Sequence, residues 1–418
     1  RVVLLEAETQ PGYHATGRSA AILAQTYGPP VIRRLTQAAS ELFEAPPEGF
    51  PEGPLVSPRG LVRFASPETI DAVRAEFEAT TAEASLTWLE PAALEARVPL
   101  LRKGYAAGGF VNDAAQDIDV HALLTGYLRQ FRARGGVMRT GAPVRGLLRR
   151  GTGWELRTGA GTIQAGLVVN AAGAWADAVA GMAGVARQGL DPRRRSAITF
   201  EAPRGCDTAA LPMLVGGDED FYLKPEAGRL MASPADATSS APCDARPEEI
   251  DIAVCVDRIT RAFDLDVRRI LSSWAGLRTF APDGSPVCGF DPEQGSFFWL
   301  AGQGGYGVQT APALAALAVE GPEVHRDLAR LVRAVSDREE HHVPLVALHV
   351  LEVLDEEAVK PRVGHKGSEL GFAVAPALDG CFDAGLLCDR ERDDADGEVG
   401  VPASVEHDAV DDGFRLDG

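Results

Sequence analysis

The stretch Gln303-Gly304-Gly305-Tyr306-Gly307-Val308-Gln309 sets three glycines around a tyrosine, with a glutamine at each end, directly after the apolar run FFWLAG. Glycine lets main chain approach a bound group closely. The loop therefore suits an anion or a flat ring, or it is a plain turn. Glu6 is a second candidate, because it closes the run Val2-Val3-Leu4-Leu5. An acid at a strand end accepts hydrogen bonds from a ribose diol in dinucleotide folds, and a solvent-facing glutamate is the plainer alternative. Shortly after it, His14-Ala15-Thr16-Gly17-Arg18-Ser19-Ala20-Ala21 combines small residues with donors. Thr16, Arg18 and Ser19 suit phosphate or ring oxygens, or Thr16 caps a helix.

Two elements repeat one pattern around these residues. In LVVNAAGAWAD, the apolar strand Leu167 to Asn170 passes through small residues, Ala171 and Gly173 among them, into a helical pattern containing Trp175. The strand Phe297 to Leu300 leads through the glycine loop into the helix APALAALAVE, where Pro312 suits a first turn. Strand, glycine, helix places backbone N–H groups and a helix N-terminus against a ligand. Val2 to Leu5 reads as a buried parallel strand, and Val144 to Thr158 as paired strands around a GTG turn. Pro46 to Pro99 and Gly189 to Ile270 differ in composition, mixing helices such as ETIDAVRAEFEATTA with strands such as FYLKP and RLMAS. They read as a second domain inserted into the first.

Taken together, QPGYHATGRSAA, PPEGF, NAAGAWADA, RRRSA, FYLKP, SWAGLRTF and QGGYGVQT resemble the FAD-dependent amine oxidoreductases of the D-amino-acid oxidase superfamily, over roughly residues 1 to 325. Within it the pattern is most similar to bacterial D-arginine dehydrogenases. The resemblance implies an α/β fold: a Rossmann-like FAD-binding domain (1–45, 108–188, 271–325) and an inserted mixed-sheet substrate domain (46–107, 189–270). It implies FAD held by Glu6, Thr16, Arg18, Ser19, Ala171, Gly173, Trp175, Gly304, Gly305, Tyr306, Gly307 and Gln309. It implies that Arg278 grips an α-carboxylate, helped by Tyr222, with Tyr27 and Arg195 lining the pocket beside Gln309, Gly305, Leu61 and Ile22. A guanidinium fork matches a carboxylate in a way a lysine does not. The plainer alternatives are a surface ion pair for Arg278, a strand aromatic for Tyr222 and a basic turn for Arg195. The implied reaction is oxidative deamination of D-amino acids to 2-oxo acids and ammonia, by hydride transfer to flavin N5. Neighbouring possibilities are oxidation of a secondary amine such as sarcosine or proline, or of a 2-hydroxy acid. The electron acceptor is not written in these motifs.

Three departures from the family pattern shape further expectations. The family opens with a strand and a GxGxxG loop for the FAD pyrophosphate, and no stretch here supplies it. The pattern is short by roughly 25 residues, so weak FAD binding or a non-catalytic remnant is expected of a chain starting at Arg1. Leu61 and Ile22 stand where the arginine-using relative has a glutamate and a histidine. Desolvating a guanidinium against apolar walls is costly, so neutral or apolar side chains are expected, unless Glu52 or Asp218 supplies the missing charge. Finally, residues 326–418 leave the pattern and carry 22 acidic against 10 basic side chains, which reads as a poorly ordered tail or a shifted reading frame.

Composition narrows the remaining classes. The net charge of −19 argues against nucleic-acid binding. No run approaches the roughly 18 apolar residues of a membrane span, and Arg1 to Glu6 reads as a strand, not a secretory signal. The six cysteines are scattered, without zinc-site pairs, and read as reduced thiols. No metal is expected. The expected partners are an amino-acid substrate and an electron acceptor. The expected location is the cytoplasm, with the periphery of the inner membrane as an alternative.

Overall fold

The computed structural model describes residues 2–81, 85–217 and 219–319. Asp218 and the acidic stretch 326–418 lie outside the described residues.

Val3–Leu5 runs parallel to Val137–Arg139, as expected of an early α/β strand, although its side chains are half-buried. The helix between them, Val120–Ala133, is capped by Asp119, whose carboxylate accepts the Ala122 amide at 2.8 Å. Val168–Asn170 pairs in parallel with Phe297–Ala301, and Val287–Phe290 joins the latter antiparallel. All five residues of Phe297–Ala301 are buried, as a central strand requires. The segment Val144 to Thr158 forms two strands, and Gly161–Ala165 adds a third, with Trp154 buried beneath them.

The glycine loop is shorter than the sequence pattern suggests, because the following helix begins at Gly307 and runs to Val319. Pro312 therefore lies in its second turn and not its first. It has no N–H to donate to the Val308 carbonyl, so the helix loses one bond close to its start.

The second region is built on a large mixed sheet. From one edge it runs through Gln303–Gly304, Ile270–Phe280, Asp191–Phe200, Arg229–Ser233, Tyr222–Glu226, Met213–Gly216, Leu61–Ala65, Gly108–Asn112 and Thr87–Leu89. Two strands within the cofactor-domain segments read from sequence, Gly108–Asn112 and Ile270–Phe280, pair in this sheet. Each of its faces has a distinct task. On one face Val62, Phe64, Leu214, Leu223 and Leu230 pack against Cys255, Ile259 and Phe263 at and just beyond the end of the helix Glu249–Ala262. The Phe64, Phe221 and Phe263 rings meet edge to face, with centroids 5.6 to 6.0 Å apart. Burying each ring contributes about 1.5–3 kcal/mol, and such pairs add about 0.5–1.5 kcal/mol beyond their area. Successive strand residues face opposite ways, so anchoring Phe221 in this core sends Tyr222 to the other face.

Candidate active site

Strand register brings the site together. Arg195 pairs with Gly276, and Arg278 lies two residues further along the same strand. The two arginines are thus diagonal neighbours on one face. Tyr222 pairs with Val215, Val215 with Arg63, Met213 with Leu61, and Arg63 with Phe110. Directly paired residues share a face, so these side chains form one continuous floor. The loops Ser19 to Tyr27 and Gly305 to Gln309 close the other side, leaving a cavity between them and this floor. Lys224 fixes the first loop from below: its ammonium donates to the Ala20 carbonyl and to Asp117, both at 2.8 Å.

Every residue read from the sequence as catalytic or substrate-binding lines this cavity: Arg278, Tyr222, Tyr27, Arg195, Gln309, Leu61, Ile22 and Gly305. Among the described residues, no carboxylate stands within ion-pair distance of Arg278 or Arg195. Arg195 instead donates from Nε to the Asp236 carbonyl at 2.7 Å. Burial, and then the like charge of Arg278, pull the Arg195 pKa down, yet guanidinium stays charged in proteins. Burial also works against the charge on Arg278, and Tyr222 and Tyr27 more than offset it, leaving its pKa raised. By accessible surface Arg278 is only half-buried, because it faces the cavity, although it lies deep within the fold. Two adjacent cations in a recess without ion-pair partners call for an anion.

The glycine loop is fitted around Arg278. Gln303–Gly304 pairs with Thr279–Phe280 and so extends the sheet beside the arginine. A Cβ on Gly305 would stand 2.8 Å from Arg278 Nη1. Gly304 has φ +57°, and a Cβ there would meet Phe280 at 2.5 Å. Tyr306 packs edge-on against Tyr27, with centroids 5.1 Å apart. Burial raises the phenol pKa of both tyrosines, so they stay protonated and able to donate. Gln309 is buried; its Oε1 accepts the Ala24 amide at 3.4 Å, while its Nε2 has no hydrogen-bond partner. An unpartnered buried amide beside a close main-chain approach is what a bound planar ring with polar edges would satisfy.

The residues read as holding the rest of the cofactor are more dispersed. Ser19 lines the cavity. Glu6 lies outside it, its carboxylate accepting the Glu8 amide at 2.9 Å. Thr16 sits in the 3₁₀ turn Thr16–Arg18. Arg18 is engaged by protein: it donates to the carbonyls of Ala275 (2.8 Å) and Ala245 (3.1 Å) and pairs with Asp244 at 2.6 Å. Ala171 follows the strand Val168–Asn170, and Gly173–Trp175 forms a 3₁₀ turn leading into the helix Ala176–Ala183. The Trp175 indole packs on His14, with centroids 4.8 Å apart.

Three charged cavity residues escaped sequence reasoning: Arg63, Glu76 and Glu219. Arg63 donates to Glu76 at 2.9 Å and to the Gly216 carbonyl at 2.7 Å, so this pair is internally neutral. Glu52, considered from sequence as a source of negative charge, is exposed and does not line the cavity. The only sequence signal for Glu219 is an acid three residues before Tyr222, and the fold is needed to turn it inward.

A cavity lined by two cations, against a glycine loop at a helix start, suits a flat, polar-edged group bound beside an anion. The chain belongs to the DAO family of FAD dependent oxidoreductases, whose family model matches residues 1–320. FAD is its cofactor. Mitochondrial dimethylglycine dehydrogenase of Mus musculus is 27% identical over 271 residues, covering 60% of this chain and 31% of that protein. The chain thus spans about a third of the length of the curated relatives it matches. Glycine oxidase from Geobacillus kaustophilus superposes with a TM-score of 0.64 at 21% identity, covering 84% of this chain and 93% of that one. L-proline dehydrogenase from P. horikoshii gives a TM-score of 0.64 at 19% identity, with 77% and 92% covered. Identity at this level establishes a shared fold. D-arginine dehydrogenase is not among these relatives. Among the described residues, no helix is long and apolar enough to cross a membrane.

Proposed function

We propose that this chain oxidises an amine carrying a carboxylate on the adjacent carbon, with D-amino acids of neutral or apolar side chain as the preferred class. One observation carries the reading: Arg278 and Arg195 line one cavity, without ion-pair partners among the described residues, with Arg278 beside the backbone of Gly305. Arg278 would hold the substrate carboxylate through its fork, and the Tyr222 hydroxyl would donate to the same group. Arg195 would supply a second positive charge, and Tyr27 would fix the mouth of the pocket. Leu61, Ile22, Met213 and Val215 form the wall against which an apolar side chain would lie. FAD would rest on Gly304 to Gly307, with the Gln309 amide turned to its ring and the N-terminus of the helix Gly307–Val319 behind it. When bound, it supplies the acceptor for the hydride leaving the Cα of the neutral amine, after the ammonium has given its proton to solvent. The residues named here orient that carbon and exclude water; none has to act as a nucleophile. Water would convert the released imine to a 2-oxo acid and an amine or ammonia.

The match to dimethylglycine dehydrogenase favours a second reading, an N-substituted glycine, in which the apolar wall holds the nitrogen substituents. A substrate panel on the FAD-loaded protein separates the two. D-leucine, D-methionine and D-phenylalanine are expected to exceed both D-arginine and N-methylglycine in kcat/KM. Comparable turnover of D-arginine would refute the apolar-pocket reading, and preferential turnover of N-methylglycine would establish the second.

A further inference from the structure

The carboxylate-binding reading accounts for the arginines of the cavity but not for Glu219. This residue stands at the tip of the hairpin joining Met213–Gly216 to Tyr222–Glu226, with its amide donating to the Gly216 carbonyl at 3.0 Å. Its φ is +57°, a left-handed conformation that a β-carbon disfavours. Backbone held in such a region is a pointer to function when the surroundings fix it. Here they do: the Gly217 amide donates to the Phe64 carbonyl at 3.0 Å, Gly216 bonds to Phe221, and Phe221 is locked in the core. The hairpin thus presents a carboxylate to the cavity at a conformational cost, where asparagine or glycine would be easier.

The surroundings of Glu219 indicate what it meets. The charged and titratable groups around it are Arg63 on Leu61–Ala65, Glu76 on Ile70–Thr80, Arg195 on Asp191–Phe200 and Arg278 on Ile270–Phe280. Tyr27 and Tyr306 feel its charge from the opposing loops. Arg63 is already matched by Glu76. No ion pair joins Glu219 itself to a described residue. The cavity therefore offers an uncommitted anion within electrostatic reach of an uncommitted cation pair. An α-amino carboxylate carries the complementary charges on adjoining atoms, and each would find its opposite there.

We propose that Glu219 is the substrate-binding residue that selects the amino group, its carboxylate pairing with the substrate ammonium while Arg278 holds the substrate carboxylate. This rests on the carboxylate-binding reading of Arg278 and adds to it a preference, at the binding step, for a positive charge on the neighbouring nitrogen. Burial raises the Glu219 carboxyl above its ordinary pKa, so selection for the amine weakens as pH falls and this group takes up a proton.

The test uses ligands that the enzyme cannot oxidise. 2-Aminoisobutyrate has no hydrogen on Cα, and pivalate replaces its ammonium by a methyl group of similar size. Their binding to the FAD-loaded protein is measured by calorimetry, for the parent, Glu219→Gln and Glu219→Asn; the asparagine variant tolerates the left-handed backbone. The parent should bind 2-aminoisobutyrate about tenfold or more tighter than pivalate. Both variants should lose this preference while holding pivalate as before, and flavin content reports that they are folded. In the parent alone, the preference should fade as pH falls. Retention of the preference by folded variants overturns the proposal. So does a loss confined to 6-aminohexanoate against hexanoate, which would mean that Glu219 reads a distant cation. If pivalate and 2-aminoisobutyrate both fail to bind the parent, the carboxylate reading of Arg278 fails and the proposal falls with it. If pivalate binds and the amine gains nothing, the Arg278 reading stands and the Glu219 proposal alone is refuted.

Discussion

Replacing Gly305 by alanine tests whether the glycine loop and Arg278, the proposed carboxylate-binding arginine, work as one unit. Gly305 has no left-handed φ, so the main chain accepts alanine at this position. The added Cβ would stand 2.8 Å from Arg278 Nη1 and 3.2 Å from Cζ, where ordinary contact begins at 3.4 Å. The guanidinium must therefore withdraw by about 0.6 Å, the difference between 2.8 and 3.4 Å. Tyr27 and Tyr222 line the cavity with it, so the shift would carry into the carboxylate that it is proposed to hold. A misplacement of about 1 Å costs on the order of a hundredfold in rate, so a loss of roughly ten- to a hundredfold in kcat/KM is expected, or about 1.4–2.7 kcal/mol. The assay is kcat/KM on D-leucine together with pivalate affinity and thermal midpoint. Both functional values should fall while the midpoint holds or rises, since alanine restricts the unfolded chain more than glycine. Unchanged kcat/KM and unchanged pivalate affinity would refute the contact between this loop and Arg278.

Further outcomes follow from the same geometry. Gly304→Ala should impair folding itself, because its φ is +57° and its Cβ would meet Phe280 at 2.5 Å; a soluble variant with the parent's thermal midpoint would contradict this. Arg278→Ala should cost about 3–5 kcal/mol in kcat/KM by leaving a buried carboxylate unpaired, and Arg278→Lys should recover only part of it, as steady-state kinetics would show. Glu219→Gln should raise the thermal midpoint at neutral pH. A carboxyl whose folded pKa is raised loses stability as pH climbs from its ordinary value through the raised one, so the advantage of glutamine should vanish on acidification, read from melting curves across that range. Gln309→Leu should lower FAD affinity by removing the amide whose Nε2 has no protein partner, measured by flavin retention on dialysis.

The sequence reveals the parts of this site that depend on local pattern. The loop from Gln303 to Gln309 is recognisable because an apolar strand precedes it and a helix follows. Arg278 and Tyr222 are recognisable in SWAGLRTF and FYLKP because those stretches resemble the family's. Long-range pairing is less legible. Leu61 and Met213 meet through a parallel register between strands some 150 residues apart in sequence, a contact that composition and periodicity do not encode. Arg63 reads as an exposed strand arginine until the Gly216 carbonyl and Glu76 are placed around it. Glu219 sits in GGDED, which reads as a solvated acidic turn. Only the anchoring of Phe221 in the core, and the alternation that follows, turn this hairpin tip over the cavity. The start of the last described helix is missed for a local reason: glycine and proline both weaken helical pattern, yet Gly307 and Pro312 lie inside it.

The most direct test of the account is anaerobic mixing of the FAD-loaded protein with D-leucine and, separately, with its carboxylate-free counterpart 3-methylbutylamine. Visible flavin absorption should bleach with D-leucine and persist with the amine, and Arg278→Ala should abolish the difference. Equal bleaching by both compounds, or bleaching by neither while an unrelated alcohol reduces the flavin, would contradict an active site built around a carboxylate held by Arg278.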